Sequence, residues 1–138
     1  MSKTVAGRFA RRIFTLPALV ICLTIAAAPA RASSYQISGT VHYYSYEVVP
    51  DTSVHFFKWN GGTWAYHGFT AADGCGNYTY DTGGPGDFEG VVEGWHAIKP
   101  GYCPAIGVWY FRNIYGSGTV GVSDSSPSAY LNIYATDF

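Results

Sequence analysis

Val54-His55-Phe56-Phe57-Lys58-Trp59-Asn60-Gly61-Gly62-Thr63-Trp64-Ala65-Tyr66-His67-Gly68-Phe69-Thr70 sets two runs of aromatic and β-branched residues around one turn signal. Val54, Phe56 and Lys58 alternate with His55, Phe57 and Trp59, the period of a strand with two different faces. Asn and Gly tolerate the positive φ that tight hairpin turns demand, so Asn60-Gly61-Gly62 predicts a hairpin returning over residues 63–70. With Gly61-Gly62 at the turn centre, Trp59 faces Trp64 and Phe57 faces Tyr66 across the hairpin, all four on one face. If Val54, Phe56 and Phe69 supply the core side, this ladder points outward, where flat rings meet sugar rings or apolar protein surfaces. The alternatives are that the ladder is itself core, or that the cross-strand pairs only stabilise the hairpin; a one-residue shift of register exchanges the faces.

The same period recurs outward from the hairpin. Ile37, Gly39, Val41 and Tyr43 alternate with Ser38, Thr40 and His42. Further strands are predicted near residues 77–82, 88–96, 106–115 and 130–136, with loops at Gly83-Gly84-Pro85-Gly86-Asp87 and over residues 117–128. Beyond residue 32 the chain holds one leucine (Leu131), no methionine, 16 glycines and 22 aromatic residues, a composition that disfavours helix and suits pleated sheet with frequent turns. The fold expected is all-β: a single antiparallel β-sandwich of about seven short strands.

The first 32 residues have a different character. Lys3, Arg8, Arg11 and Arg12 precede an apolar run over residues 16–30, and Ala30-Arg31-Ala32 has the small-x-small form of a cleavage site. This is the layout of a secretory signal peptide over residues 1–32, leaving a domain at residues 33–138 and a secreted, extracellular location. The run is short for a membrane span and is interrupted by Pro17 and Pro29, so no span is expected after cleavage. Arg11-Arg12-Ile13-Phe14 partly matches a twin-arginine signal. The remaining domain carries three basic residues, Lys58, Lys99 and Arg112, against nine acidic ones, a net charge of −6. So few cations cannot neutralise many phosphates, which argues against nucleic acid as a partner. Cys75 and Cys103 are the two cysteines of this domain, and in an exported chain they are expected to pair as a disulfide. Closing a loop of that length contributes about 3.5 kcal/mol in the chain-entropy view.

One family shares part of this pattern. Gly39-Thr40-Val41 opens a strand, Val49-Pro50-Asp51 leads into Val54-His55-Phe56, and Thr70-Ala71-Ala72-Asp73-Gly74-Cys75-Gly76-Asn77-Tyr78-Thr79-Tyr80 places a turn before an aromatic-x-aromatic strand. The stretch resembles carboxypeptidase regulatory-like and transthyretin-like (prealbumin-like, Cna-B-like) β-sandwich domains. The resemblance covers residues 39–80; the rest of the chain finds no counterpart in it. It implies a sandwich and a non-catalytic stabilising, adhesive or interaction role. The Tyr-Arg-Gly-Ser ending of transthyretin-like hydrolases is absent, since the chain ends Tyr134-Ala135-Thr136-Asp137-Phe138.

Motifs for chemistry are weak. His42, His55, His67 and His96 show no His-x-His or His-x-x-x-His spacing, so no metal site and no cofactor are expected. Gly116-Ser117-Gly118-Thr119-Val120-Gly121 matches GxGxxG but leads into Val122-Ser123-Asp124-Ser125-Ser126-Pro127, which starts no long helix, and reads as a flexible loop. There is no Gly-x-Ser-x-Gly elbow. Asp81, Asp87, Glu89 and Glu93 read as a solvated loop face. Asn77-Tyr78-Thr79 is a formal glycosylation sequon. No catalytic residue is assigned. The expected function is a secreted, non-catalytic interaction module for adhesion or cell-envelope association, with an extracellular protein or polysaccharide surface as partner. The alternatives are a carbohydrate-binding protein using Phe57, Trp59, Trp64 and Tyr66, a secreted enzyme inhibitor presenting Gly83-Gly84-Pro85-Gly86-Asp87, and a small hydrolase or metal enzyme.

Overall fold

The computed structural model describes residues 34–44, 47–98 and 109–138. These residues form strands and no helix: β1 (Gln36–Tyr43), β2 (Glu47–Val48), β3 (Ser53–Trp59), β4 (Trp64–Ala71), β5 (Asn77–Asp81), β6 (Gly86–Ile98), β7 (Tyr110–Val122), β8 (Ser128–Tyr130) and β9 (Ile133–Asp137). Seven strands follow one path, β2-β1-β9-β7-β6-β3-β4, while β5 and β8 both pair with β1. The all-β expectation holds. The predicted leader at residues 1–32 and Cys103 lie outside the described residues, as do residues 106–108 of one predicted strand.

The pairing is mixed, not purely antiparallel. The first half of β1 lies between antiparallel β5 and parallel β8, and its second half between antiparallel β2 and parallel β9. Parallel neighbours need a long return path, and β2 to β7 all lie between β1 and its C-terminal partners. The strand expected over residues 130–136 is broken where the chain passes from one half of β1 to the other. At the break Leu131 N–H donates to Ser38 O at 2.8 Å, and Asn132 Oδ1 accepts from Thr40 N–H at 3.0 Å.

The sheet curls around its apolar side. Ile37 and Val41 of β1, Val54 and Phe56 of β3, Phe88 and Val92 of β6, Ile114 of β7 and Ile133 of β9 are fully buried there. The curl carries β5 over β3: Phe56 stacks on Tyr80 with centroids 4.2 Å apart and planes 4° from parallel. It also carries the end strand β4 to β5, where Thr70 Oγ1 donates to Thr79 O at 2.9 Å. Burial of this size, at about 25 cal/mol per Å² of apolar surface, is the main stabilising term.

Three close approaches explain residues that composition alone does not. A Cβ at Gly39 would overlap the Leu131 carbonyl oxygen, and the Tyr78 hydroxyl donates to that same oxygen at 2.5 Å. Glycine at 39 therefore lets the C-terminal segment cross β1. Gly116 and Gly118, expected in a flexible loop, lie inside β7. A Cβ at Gly116 would sit 2.8 Å from Ala135 Cα, and one at Gly118 would sit 2.8 Å from a Leu131 methyl. These glycines are packing positions in a strand, and the loop expected over residues 117–128 begins only after Val122. Gly86 and Asp87, also expected in a loop, open β6.

Candidate functional site

The hairpin of β3 and β4 has the expected register: Phe57 lies opposite Tyr66 and Trp59 opposite Trp64. Asn60 organises the turn, its Oδ1 accepting from Gly62 N–H at 3.2 Å and Thr63 N–H at 3.0 Å. The row faces outward. Trp59 and Trp64 are 40% and 37% exposed, and Tyr66 is 59% exposed. Facing rings touch across the hairpin, Trp59 to Trp64 at 5.3 Å and Phe57 to Tyr66 at 5.6 Å between centroids.

The structure enlarges the ladder by one correction. Phe69, expected on the core side, is 61% exposed. The register shifts between Phe56 and Phe57: Phe56 pairs with Gly68, but Phe57 pairs with Tyr66, which leaves His67 as an extra residue on β4. Such a bulge reverses the parity of everything beyond it. Phe69 therefore lies opposite His55, at 5.9 Å between ring centroids, and His55 also reaches Tyr66 at 6.1 Å. His67 is tied down instead, its Nδ1 2.6 Å from the Tyr80 hydroxyl. The apolar-polar pattern of the sequence carries no sign of the bulge, although Gly68 beside His67 is consistent with a break in regular pairing.

The acidic residues divide. Asp81 ends β5 and its Oδ1 accepts from Gly83 N–H at 2.9 Å, so it belongs to a turn. Asp87, Glu89 and Glu93, read as a solvated loop face, stand on one face of β6 instead, Glu89 and Glu93 within the strand expected near residues 88–96. Glu89 lies opposite Phe57 and Val91 opposite His55, which puts the carboxylate row on the same face as the ladder. Two shallow grooves run beside it. The first, about 480 Å³, is lined by Trp59, Trp64, Asp87, Thr119, Val120 and Gly121. The second, about 340 Å³, is lined by His55, Phe57, Glu89, Val91, Glu93 and Tyr115. The period-two spacing of Asp87, Glu89 and Glu93 was the available signal for their shared face.

The histidines do not converge. His42 on β1 stacks on Tyr134 at 5.3 Å, and burial lowers its pKa while its Nδ1 has no hydrogen-bond partner. His96 contacts Thr52 Oγ1 through Nδ1 at 3.0 Å and approaches Glu93 O through Nε2 at 2.9 Å. Among the described residues no three His, Cys, Asp or Glu side chains are grouped to hold a metal ion. Asp73 anchors the turn before β5, its Oδ1 accepting from Asn77 N–H at 2.9 Å and Cys75 N–H at 2.8 Å, and these bonds lower its pKa. The expected partner of Cys75 is Cys103, which lies outside the described residues. Comparison with protein-family models, curated proteins and solved structures finds no match for the chain.

Proposed function

We propose that this chain is a secreted, non-catalytic interaction module that binds through the outer face of β3, β4 and β6. The observation that carries this reading is a row of six rings on one face of the hairpin: Trp59 and Trp64 pair beside the turn, and Phe57, Tyr66, His55 and Phe69 follow in successive ring contacts. Single exposed aromatics are ordinary, whereas contiguous exposed ones mark interaction surfaces. The leader-like sequence at residues 1–32 supports export, and the paired cysteines Cys75 and Cys103 of the proposal suit an oxidising compartment. A sandwich of the carboxypeptidase regulatory-like or transthyretin-like type is the architecture proposed. Gly39 beneath Leu131 and the Asp73 turn support it, because both give the matching motif residues a structural task.

Carbohydrate is the second reading, favoured by Thr119 and Asp87 beside Trp59 and Trp64, which would hydrogen-bond hydroxyls next to stacking rings. Its weak point is the 57° inclination of the two indoles, which breaks a flat platform. The test is depletion of the purified protein from solution by insoluble polysaccharides and by cell-envelope preparations, with Trp59→Ala/Trp64→Ala as control. Retention on envelope material that the folded double variant loses supports the interaction module. Retention on a pure neutral polysaccharide moves carbohydrate to first place. Equal retention of parent and variant removes the ladder from both readings.

A further inference from the structure

Resting on the reading of the outer face as a binding surface, we infer that its ligand is an extended basic polypeptide segment, with Lys or Arg side chains at alternate positions seated between the aromatic ladder and the carboxylates of β6. Three features of the face converge on that chemistry.

The first is charge. Asp87, Glu89 and Glu93 project from the face, and the two basic residues described in the structure are both engaged elsewhere. Lys58 holds its Nζ 5.5 Å from the centre of the Phe88 ring, on the core side of the sheet. Arg112 lies 3.9 Å from Asp137 and 5.3 Å from the Tyr110 ring. Among the described residues, therefore, no cation of this chain sits among these carboxylates. The second is ring geometry. The two indoles, 5.3 Å apart and inclined by 57°, make a corner with Asp87 at its side. A corner of aromatic faces next to a carboxylate suits an ammonium or guanidinium group, which is drawn to both the ring faces and the negative charge. A flat sugar ring prefers one uninterrupted plane. The third is spacing. Same-face positions of a strand recur every two residues, roughly 6.6 Å apart. An extended peptide lying along β6 has the same repeat, so basic residues at i and i+2 meet Asp87 and Glu89 without adjustment.

The experiment is a tryptophan-fluorescence titration of the purified protein with an octapeptide of alternating Lys and Thr. An alternating Glu and Thr octapeptide and a glucosamine oligomer serve as comparison probes. The expected result is saturable binding of the Lys peptide alone. Its affinity should fall roughly tenfold or more between low and high salt, because exposed charges are screened. It should also fall roughly tenfold in Asp87→Asn/Glu89→Gln, an isosteric change that leaves the ladder in place. Absence of Lys-peptide binding, or equal affinity in the Asp87→Asn/Glu89→Gln protein, overturns the inference. If the glucosamine oligomer alone binds, and Trp64→Ala abolishes it, the peptide inference fails while the face remains a binding surface. If the Lys peptide binds equally well to Trp59→Ala/Trp64→Ala, both the inference and the ladder's role fail.

Discussion

Two aromatic pairs on strands of this molecule have opposite fates. Tyr78 and Tyr80 of β5 are buried, at 4% and 8% exposure, whereas Tyr66 and Phe69 of β4 stand in solvent. Both pairs sit on short strands next to glycine-containing turns. What separates them is what lies opposite. The β5 pair packs on Phe56, and each hydroxyl has a partner, Leu131 O for Tyr78 and the His67 ring for Tyr80. Burial of a tyrosine is tolerable only with its hydroxyl paired. The β4 pair faces outward at the end of the sheet path, where no described strand covers it. Aromatic content therefore indicates sheet, and the sheet's curl decides which rings become core and which become surface.

The contrast is broken most severely on the buried side. Phe56→Ala removes the ring that both β5 tyrosines pack on and should cost about 3–5 kcal/mol. Phe69→Ala should stay within about 1 kcal/mol of the parent. Urea unfolding of the two variants measures the difference, and similar midpoint shifts would erase the distinction between faces. Gly39→Ala should cost about 3 kcal/mol or more, because the methyl meets backbone at Leu131 and cannot be relieved by a side-chain rotation. Tyr78→Phe should cost about 1–3 kcal/mol by leaving the Leu131 carbonyl without that donor, and the same removal of a hydroxyl in Tyr66→Phe should be nearly silent.

A smaller effect sharpens the comparison through pH. Burial lowers the His42 pKa below its ordinary 6.5, so the unfolded chain takes up this proton first as the solution is acidified. The stability associated with neutral His42 is fully present above about pH 6.5 and is lost as pH falls through the folded-state value. The urea midpoint should therefore decline from pH 7.5 to pH 5, and His42→Asn should flatten that decline. A pH slope unchanged by the substitution would place its origin elsewhere.

The sequence revealed the strand class and the hairpin register because both depend on local chemistry. Asn60-Gly61-Gly62 specifies the turn, and counting outward from it pairs Trp59 with Trp64. The exposed position of Phe69 was not legible, because a bulge of one residue at His67 leaves no mark on hydrophobic alternation. The role of Gly116 and Gly118 was hidden for another reason. Glycine in sequence signals freedom or close approach equally, and only the position of β9 and Leu131 distinguishes them. Glu89 and Glu93 fall within a strand the sequence predicts, but only the pairing of that strand with β3 sets them beside the ladder. The parallel partners of β1 are the most non-local feature of the fold, joining the first described strand to the last, and no local pattern announces them.

Oxidative footprinting with hydroxyl radicals, read residue by residue by mass spectrometry, tests the two-faced account most directly. In the free protein Trp59, Trp64, Tyr66 and Phe69 should label rapidly while Tyr78 and Tyr80 stay protected. Protection of the ladder together with labelling of Tyr78 and Tyr80 would contradict the assignment of faces, and with it the proposed binding surface.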